Sequence, residues 1–348
     1  MADTYPMAVI AEPGKIEFVE RRLPALKDDE VLIEVKAAAI CGSDLHIYKG
    51  AHPAVSLPVT VGHELAGEVV EMGETVTGVK LGDRVAVEPV VVCGMCYFCR
   101  RGAYHLCEQI SFQYRQGQGG FTTHFIAHES WVHILPEGLS YEEGALIEPL
   151  SVAVHAVKKS GLAMGHRAAI FGDGPIGLLL LMLANLSGAE KIFLVGARAS
   201  RLEKGLQLGA HLAINNLEAD AVSVIFDHTA RLGVERTFEA VGIESTLIQC
   251  LRVLRKGGIA TLVGLFEQAQ VKVPANLFVQ REISLTGSQG YNWDFQTALE
   301  LVAQKRLNLS SLITHVLPMS SLAEGFDLFA DSDSGAIKVV LTNDEQSR

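Results

Sequence analysis

The chain has 348 residues, of which 49% are hydrophobic and 20% charged, with 33 glycines and 11 prolines. Length points to about two domains of ordinary size, and the apolar content excludes a disordered chain. Against 29 basic residues stand 40 acidic ones, a net charge of −11, which excludes nucleic acid or an anionic membrane as main partner, since both call for clustered Lys and Arg.

The opening stretch MADTYPMAVIAEPGK has no basic region ahead of an apolar run and does not read as a secretory signal. The most apolar segment, Leu178 to Leu183, is far short of the ~20 residues that span a bilayer. A cytoplasmic protein with reduced thiols is therefore expected. From residue 5 to 135, short β-rich runs (VLIEVKAAAI, AGEVVEM, DRVAVEPVV) are often broken by Gly and Pro, the texture of an irregular all-β or α+β domain. From 165 to 285 strands alternate with helices: RAAIF, PIGLLLLMLANLSG, KIFLVG, SRLEKGLQLG, RTFEAVG, ESTLIQCLRVLRKGG and IATLVGL. That alternation predicts an α/β domain with a parallel sheet covered by helices. A helix over 294–305 and a closing strand, IKVVL at 337–341, returning to the first domain, are expected beyond it.

Two stretches of the first domain carry metal-binding chemistry. Cys93, Cys96, Cys99 and Cys107 follow a C-x2-C-x2-C-x7-C spacing, with Gly94 and Gly102 permitting tight turns. Four thiolates this close suit a closed, tetrahedral structural zinc site. A ferredoxin-type cluster normally has its fourth cysteine sooner, followed by Pro. A second set is dispersed: Cys41, Ser43, Asp44 and His46, then His63 and Glu64, then Glu148. Cys, His and Glu are competent zinc ligands, and three of them plus water make a catalytic site. Read alone, His63 serves equally as a core histidine and Glu148 as a helix cap.

In the second domain, Gly172, Gly174, Pro175, Ile176 and Gly177 build G-x-G-x-x-G between a strand and a helix. Its glycines allow the tight turn, the approach of a pyrophosphate and close helix packing. The next strand ends Gly196-Ala197-Arg198, with Arg201 following, and Gly196 stands where NAD sites carry an acid. Without that carboxylate a 2′-phosphate meets no repulsion, and Arg198 and Arg201 offer charge-assisted bonds to it. NADP is therefore expected over NAD, the alternative being that both arginines are merely solvated. Cys250 reads as a small buried apolar residue.

Taken together, CGSDLH at 41–46, GHELAGEVVEMG at 62–73, GDRVAVEP at 82–89, the four-cysteine lobe, EGALIEPLSVAVHA at 143–156, FGDGPIG at 171–177 and VGL at 263–265 resemble the zinc-dependent medium-chain dehydrogenase/reductase superfamily, in its polyol dehydrogenase branch. The resemblance implies a GroES-like catalytic domain, 1–150 plus 290–348, into which a doubly wound Rossmann domain, 151–289, is inserted. It implies two zinc ions per chain, one structural in the cysteine lobe and one catalytic on Cys41 and His63. Either Glu64 or Glu148 completes the catalytic set or holds its water. Ser43 and His46 resemble a proton relay, with Asp44 orienting His63. It also implies hydride transfer from a zinc-acidified alcohol to the nicotinamide, and a homodimer or homotetramer.

Two positions depart from sorbitol-type members: the acid missing at Gly196, and Gly290 where many carry an arginine that contacts polyol hydroxyls. The expected substrate is a polyol, a sugar alcohol or an alditol phosphate, with Tyr48, Phe112, Gln289 and Tyr291 as candidate contacts and Arg115 as a candidate partner for a phosphate. Butanediol-type and L-threonine 3-dehydrogenase-like activities share nearly all these motifs. A non-catalytic nucleotide-binding relative is the reading from another class, and the complete set Cys41, Ser43, His63, Glu64 and Glu148 speaks against it.

Overall fold

The strand Glu30–Ala39 organises the first half of the molecule, because its side chains Val31, Leu32, Ile33, Val35 and Ala37 to Ala39 are all buried. A strand covered on both faces reads as continuous apolar sequence, which is why VLIEVKAAAI shows little alternation. In the computed structural model, which describes residues 4–52, 54–268 and 270–343, this strand is central to a seven-stranded sheet. Its spatial order is Val132–Ile134, Arg84–Val87, Glu64–Met72, Glu30–Ala39, Lys338–Thr342 and Ile313–Pro318, with His124–His128 also paired to Glu30–Ala39. Antiparallel register opposes Ala39 to Glu64 and Ala39 to Val340. The segments just beyond those pairs, Cys41, His63 and Lys338, are thereby brought together from three distant parts of the sequence.

The chain divides into two units, one holding everything up to Pro149 and from Phe295 on, the other Leu150–Asp294. Six parallel strands form the second: β1 (Arg167–Phe171), β2 (Lys191–Gly196), β3 (Leu212–Asn215), β4 (Val234–Glu239), β5 (Leu254–Leu262) and β6 (Ser284–Gly287). Their spatial order, β3-β2-β1-β4-β5-β6, is the doubly wound order of dinucleotide-binding domains, whose ligands sit beyond the carboxyl ends of the strands. Cys250 is fully buried within this unit's core. No helix among the described residues is long and apolar enough to cross a membrane.

The second unit ends on a buried charge cluster. Asp294 is 1% exposed and accepts from Lys158 Nζ, from the Asn292 N–H and from His155 Nδ1, each at 2.8 Å. Burial pushes its carboxyl up, but these partners outweigh that and hold it below its ordinary range. A depressed folded value means that the stabilisation is present at neutral pH and is lost as pH falls through it. Asp294→Ala is expected to cost on the order of 1–3 kcal/mol in urea unfolding at pH 7, with the difference from the parent shrinking below pH 4. An equal cost at pH 3 and pH 7 would contradict the assignment.

Candidate active site

Cys41 caps the helix Gly42–Tyr48, and the chain enters this helix around one carboxylate. Asp44, fully buried, accepts the Cys41 N–H at 3.1 Å on one oxygen and the Gly62 N–H at 3.2 Å on the other. The second oxygen stands 3.4 Å from His63 Nδ1. Asp44 thus fixes the helix start against the turn that carries His63. The Cys41, His63 and Glu64 donor atoms lie within 4.8 Å of one another, the histidine and glutamate buried. Burial pushes the His63 imidazole down, but Asp44 and Cys41 more than reverse this and hold it well above its ordinary value. His63 Nδ1 faces the Asp44 carboxylate within this buried surround. A thiolate, an imidazole and a carboxylate converging in such a place fit zinc, with a fourth position left open.

Glu64 is also held from behind. Lys338, 1% exposed, pairs its Nζ with Glu64 Oε2 and donates to the Ile40 carbonyl at 3.0 Å. Sequence reasoning missed this lysine; the available signal was a charge inside the apolar run IKVVL. Glu148 is 5% exposed, in the first turn of the helix Ile147–Ser160, and is not among the three converging donors. Ser43 occupies the first turn of the helix Gly42–Tyr48, and His46 follows three residues later on the same side.

Aromatic rings line His63: Phe112 at 5.9 Å and Tyr114 at 5.8 Å between centroids, the second unforeseen. Tyr48 instead stacks on Phe326 at 4.8 Å and donates its hydroxyl to the Gly14 carbonyl. Arg115 donates to the Ala54 carbonyl at 2.8 Å. Gln289 is exposed and Tyr291 buried, both in the second unit.

The cysteine lobe closes as its spacing predicts. Gly94 and Gly102 take positive φ of 68° and 72°, and the Cys93, Cys96, Cys99 and Cys107 sulfurs lie within 4.8 Å of one another. Four thiols this close resist ionising together. Backbone N–H groups of Cys99 and Glu108 pull Cys96 down to about 6, whereas burial and neighbouring sulfurs push Cys99 up to about 12. A dication bound by all four removes that conflict, and this donor set fits zinc with no position left open.

In the second unit, β1 leads through Gly172 into the helix Pro175–Leu186. A Cβ on Gly177 would lie 1.8 Å from the Gly172 carbonyl oxygen, so helix and turn pack too closely for any side chain. On Gly174 it would meet only Arg201, at 3.9 Å. Protein packing therefore does not require that glycine, whereas a close-approaching pyrophosphate does. Helix N–H groups without a side-chain cap add donors there. The turn after β2 brings Arg198 beside Arg201, which is 5% exposed. Burial and Arg198 together lower the Arg201 guanidinium to about 10, although Asp173 opposes them. Two convergent cations suit a nucleotide anion. The strand end itself carries Gly196 and no acid, but a carboxylate from another loop reaches it: Asp173, from the loop after β1, accepts the Ala197 and Arg198 N–H groups at 2.9 and 2.8 Å. Sequence position hid it, because it precedes Gly196 by 23 residues and meets it only in space.

A cleft of about 350 Å³ elsewhere in this unit is lined by Arg167, Arg231, Leu232, Arg255, Lys256 and Arg281. Most of its cations are engaged structurally. Arg167 and Arg255 share Glu235, Arg231 pairs with Asp227, and Arg281 donates to the Arg252 and Leu254 carbonyls at a helix end.

A unit with two groups of cysteine-bearing donors that could each hold a metal ion, together with a unit of doubly wound topology, is the make-up of a zinc-binding, nucleotide-dependent dehydrogenase. Residues 27–137 match the alcohol dehydrogenase GroES-like domain and residues 175–304 the zinc-binding dehydrogenase domain. The chain is 36% identical to the D-arabitol-phosphate dehydrogenase of Enterococcus avium, over 96% of each protein. It superposes on a zinc-binding dehydrogenase of Sinorhizobium meliloti bound to NADP with a TM-score of 0.91, at 28% identity, covering 97% of this chain and 99% of that one. It also superposes on an Escherichia coli alcohol dehydrogenase complexed with NADH, again at 0.91, at 26% identity and covering 98% and 100%. The chain belongs to the zinc-dependent medium-chain dehydrogenase/reductase family, in its polyol dehydrogenase-like branch, and is an oxidoreductase of alcohols.

The two metal pockets separate by mutation. Cys96→Ala is expected to remove one zinc equivalent and lower the unfolding temperature. Cys41→Ala or His63→Ala should remove the other, keep the circular dichroism spectrum and abolish turnover; full turnover in Cys41→Ala would contradict the assignment. In the metal-free protein Lys338→Met leaves Glu64 buried without its cation and should cost about 3–5 kcal/mol in chemical denaturation, whereas a change under 1 kcal/mol would show that the pair contributes little.

Proposed function

We propose that the protein oxidises a secondary hydroxyl of a polyol, sugar alcohol or alditol phosphate to a ketone, with NADP preferred over NAD as hydride acceptor. The observation that carries the reading is the convergence of half-buried Cys41 with buried His63 and Glu64. Zinc held there would supply a Lewis acid that makes a bound hydroxyl more acidic. Asp44 keeps the His63 ring oriented and the Cys41 backbone fixed, as partners behind metal ligands do. Phe112 and Tyr114 give His63 an apolar flank that limits water.

Ser43 takes the hydroxyl proton and His46, one helical turn further, passes it outward. Glu64 would complete the ligand set beside Cys41 and His63, and Glu148 would hold water or exchange with it. Gly172, Gly174, Pro175, Ile176 and Gly177 cradle the pyrophosphate. Gly196, Ala197, Arg198 and Arg201 take the adenosine ribose and its 2′-phosphate. The relationship to an arabitol-phosphate dehydrogenase supports including phosphorylated substrates.

A panel of alditols, alditol phosphates, diols and L-threonine, assayed with both cofactors, tests the reading. Turnover should be greatest on an alditol or its phosphate, with kcat/KM higher for NADP. A tenfold preference for NAD would overturn the cofactor assignment. No turnover across the panel, with one zinc per chain, would favour a non-catalytic relative.

A further inference from the structure

The turn after β2 presents two backbone N–H groups, from Ala197 and Arg198, at the strand end where doubly wound domains receive the adenosine ribose. Both are already taken by one oxygen of Asp173. The fit is close: a Cβ on Gly196 would lie 2.3 Å from that oxygen, so an acid at the strand end and Asp173 in its present position exclude each other. Gly196 is therefore more than a missing acid. It is the space into which a carboxylate from another loop folds.

We propose that Asp173 is a cofactor-selecting residue, whose carboxylate over Gly196 stands in for the absent strand-end acid and keeps NAD usable beside NADP. A ribose hydroxyl donates to a carboxylate favourably. A 2′-phosphate must approach the same charge or displace it from the Ala197 and Arg198 N–H groups, against the attraction of Arg198 and Arg201. The site thus combines two attractive cations with one repulsive anion, and selectivity is their difference. This inference rests on the nucleotide reading above and adds to it a restraint that the arginines alone do not provide.

The test is calorimetric titration of ADP-ribose and of its 2′-phosphate into the parent protein, Asp173→Asn and Asp173→Ala. Asparagine keeps an oxygen for the two N–H groups and removes only the charge. Relative to the parent, both variants should shift the affinity ratio toward the 2′-phosphate by tenfold or more, about 1.4 kcal/mol. A ratio within twofold of the parent in both variants would overturn the role of Asp173 and leave the nucleotide site standing. If the parent binds neither probe, the nucleotide reading itself falls and this inference with it.

Discussion

Asp44 accepts the Cys41 and Gly62 N–H groups and lies against His63, with no exposed surface of its own. A carboxylate buried this way is tolerated only because each oxygen is matched. In return it fixes two segments that the sequence separates by about twenty residues and around which the rest of the site is arranged. The strand register between Ala39 and Glu64 delivers the carboxylate of Glu64 to the same place. Lys338 arrives from the C-terminal strand and pairs with that carboxylate. The returning strand is thus part of the site as well as of the sheet, since without it Glu64 would be a buried anion lacking its cation.

The two groups of candidate metal donors differ in how far they are legible in sequence, for a geometric reason. Cys93, Cys96, Cys99 and Cys107 lie within one short segment, so their spacing alone dictates convergence. Cys41, His63 and Glu64 converge only through strand pairing, which spacing does not encode. There the motif resemblance carried the reading, and the register supplies its physical cause. The same limit hid Lys338 and Tyr114, whose positions depend on contacts between distant segments. The parallel sheet of the second unit was readable because its strands alternate with helices and their apolar runs are continuous.

Charge placement sharpens what the overall acidity could not resolve. Most of the basic cleft in the second unit serves ion pairs and helix-end carbonyls. Arg198 and Arg201 lie elsewhere, beside the glycine-rich turn, where burial and Arg198 lower the Arg201 guanidinium. Asp173 beside them is the feature that sequence position hid: the strand-end acid is missing from its usual place, and a carboxylate from the preceding loop occupies the space it leaves. Reading a nucleotide site from one position after one strand therefore loses a contribution that folding adds from the preceding loop.

The central claim is that the set of half-buried Cys41 with buried His63 and Glu64 binds metal as an open site, separate from the cysteine lobe. Anomalous scattering at the zinc edge from crystals of the zinc-loaded protein addresses it directly. Two zinc peaks per chain are expected, one among the four sulfurs and one bounded by Cys41, His63 and Glu64. A single peak, confined to the cysteine lobe, would contradict it.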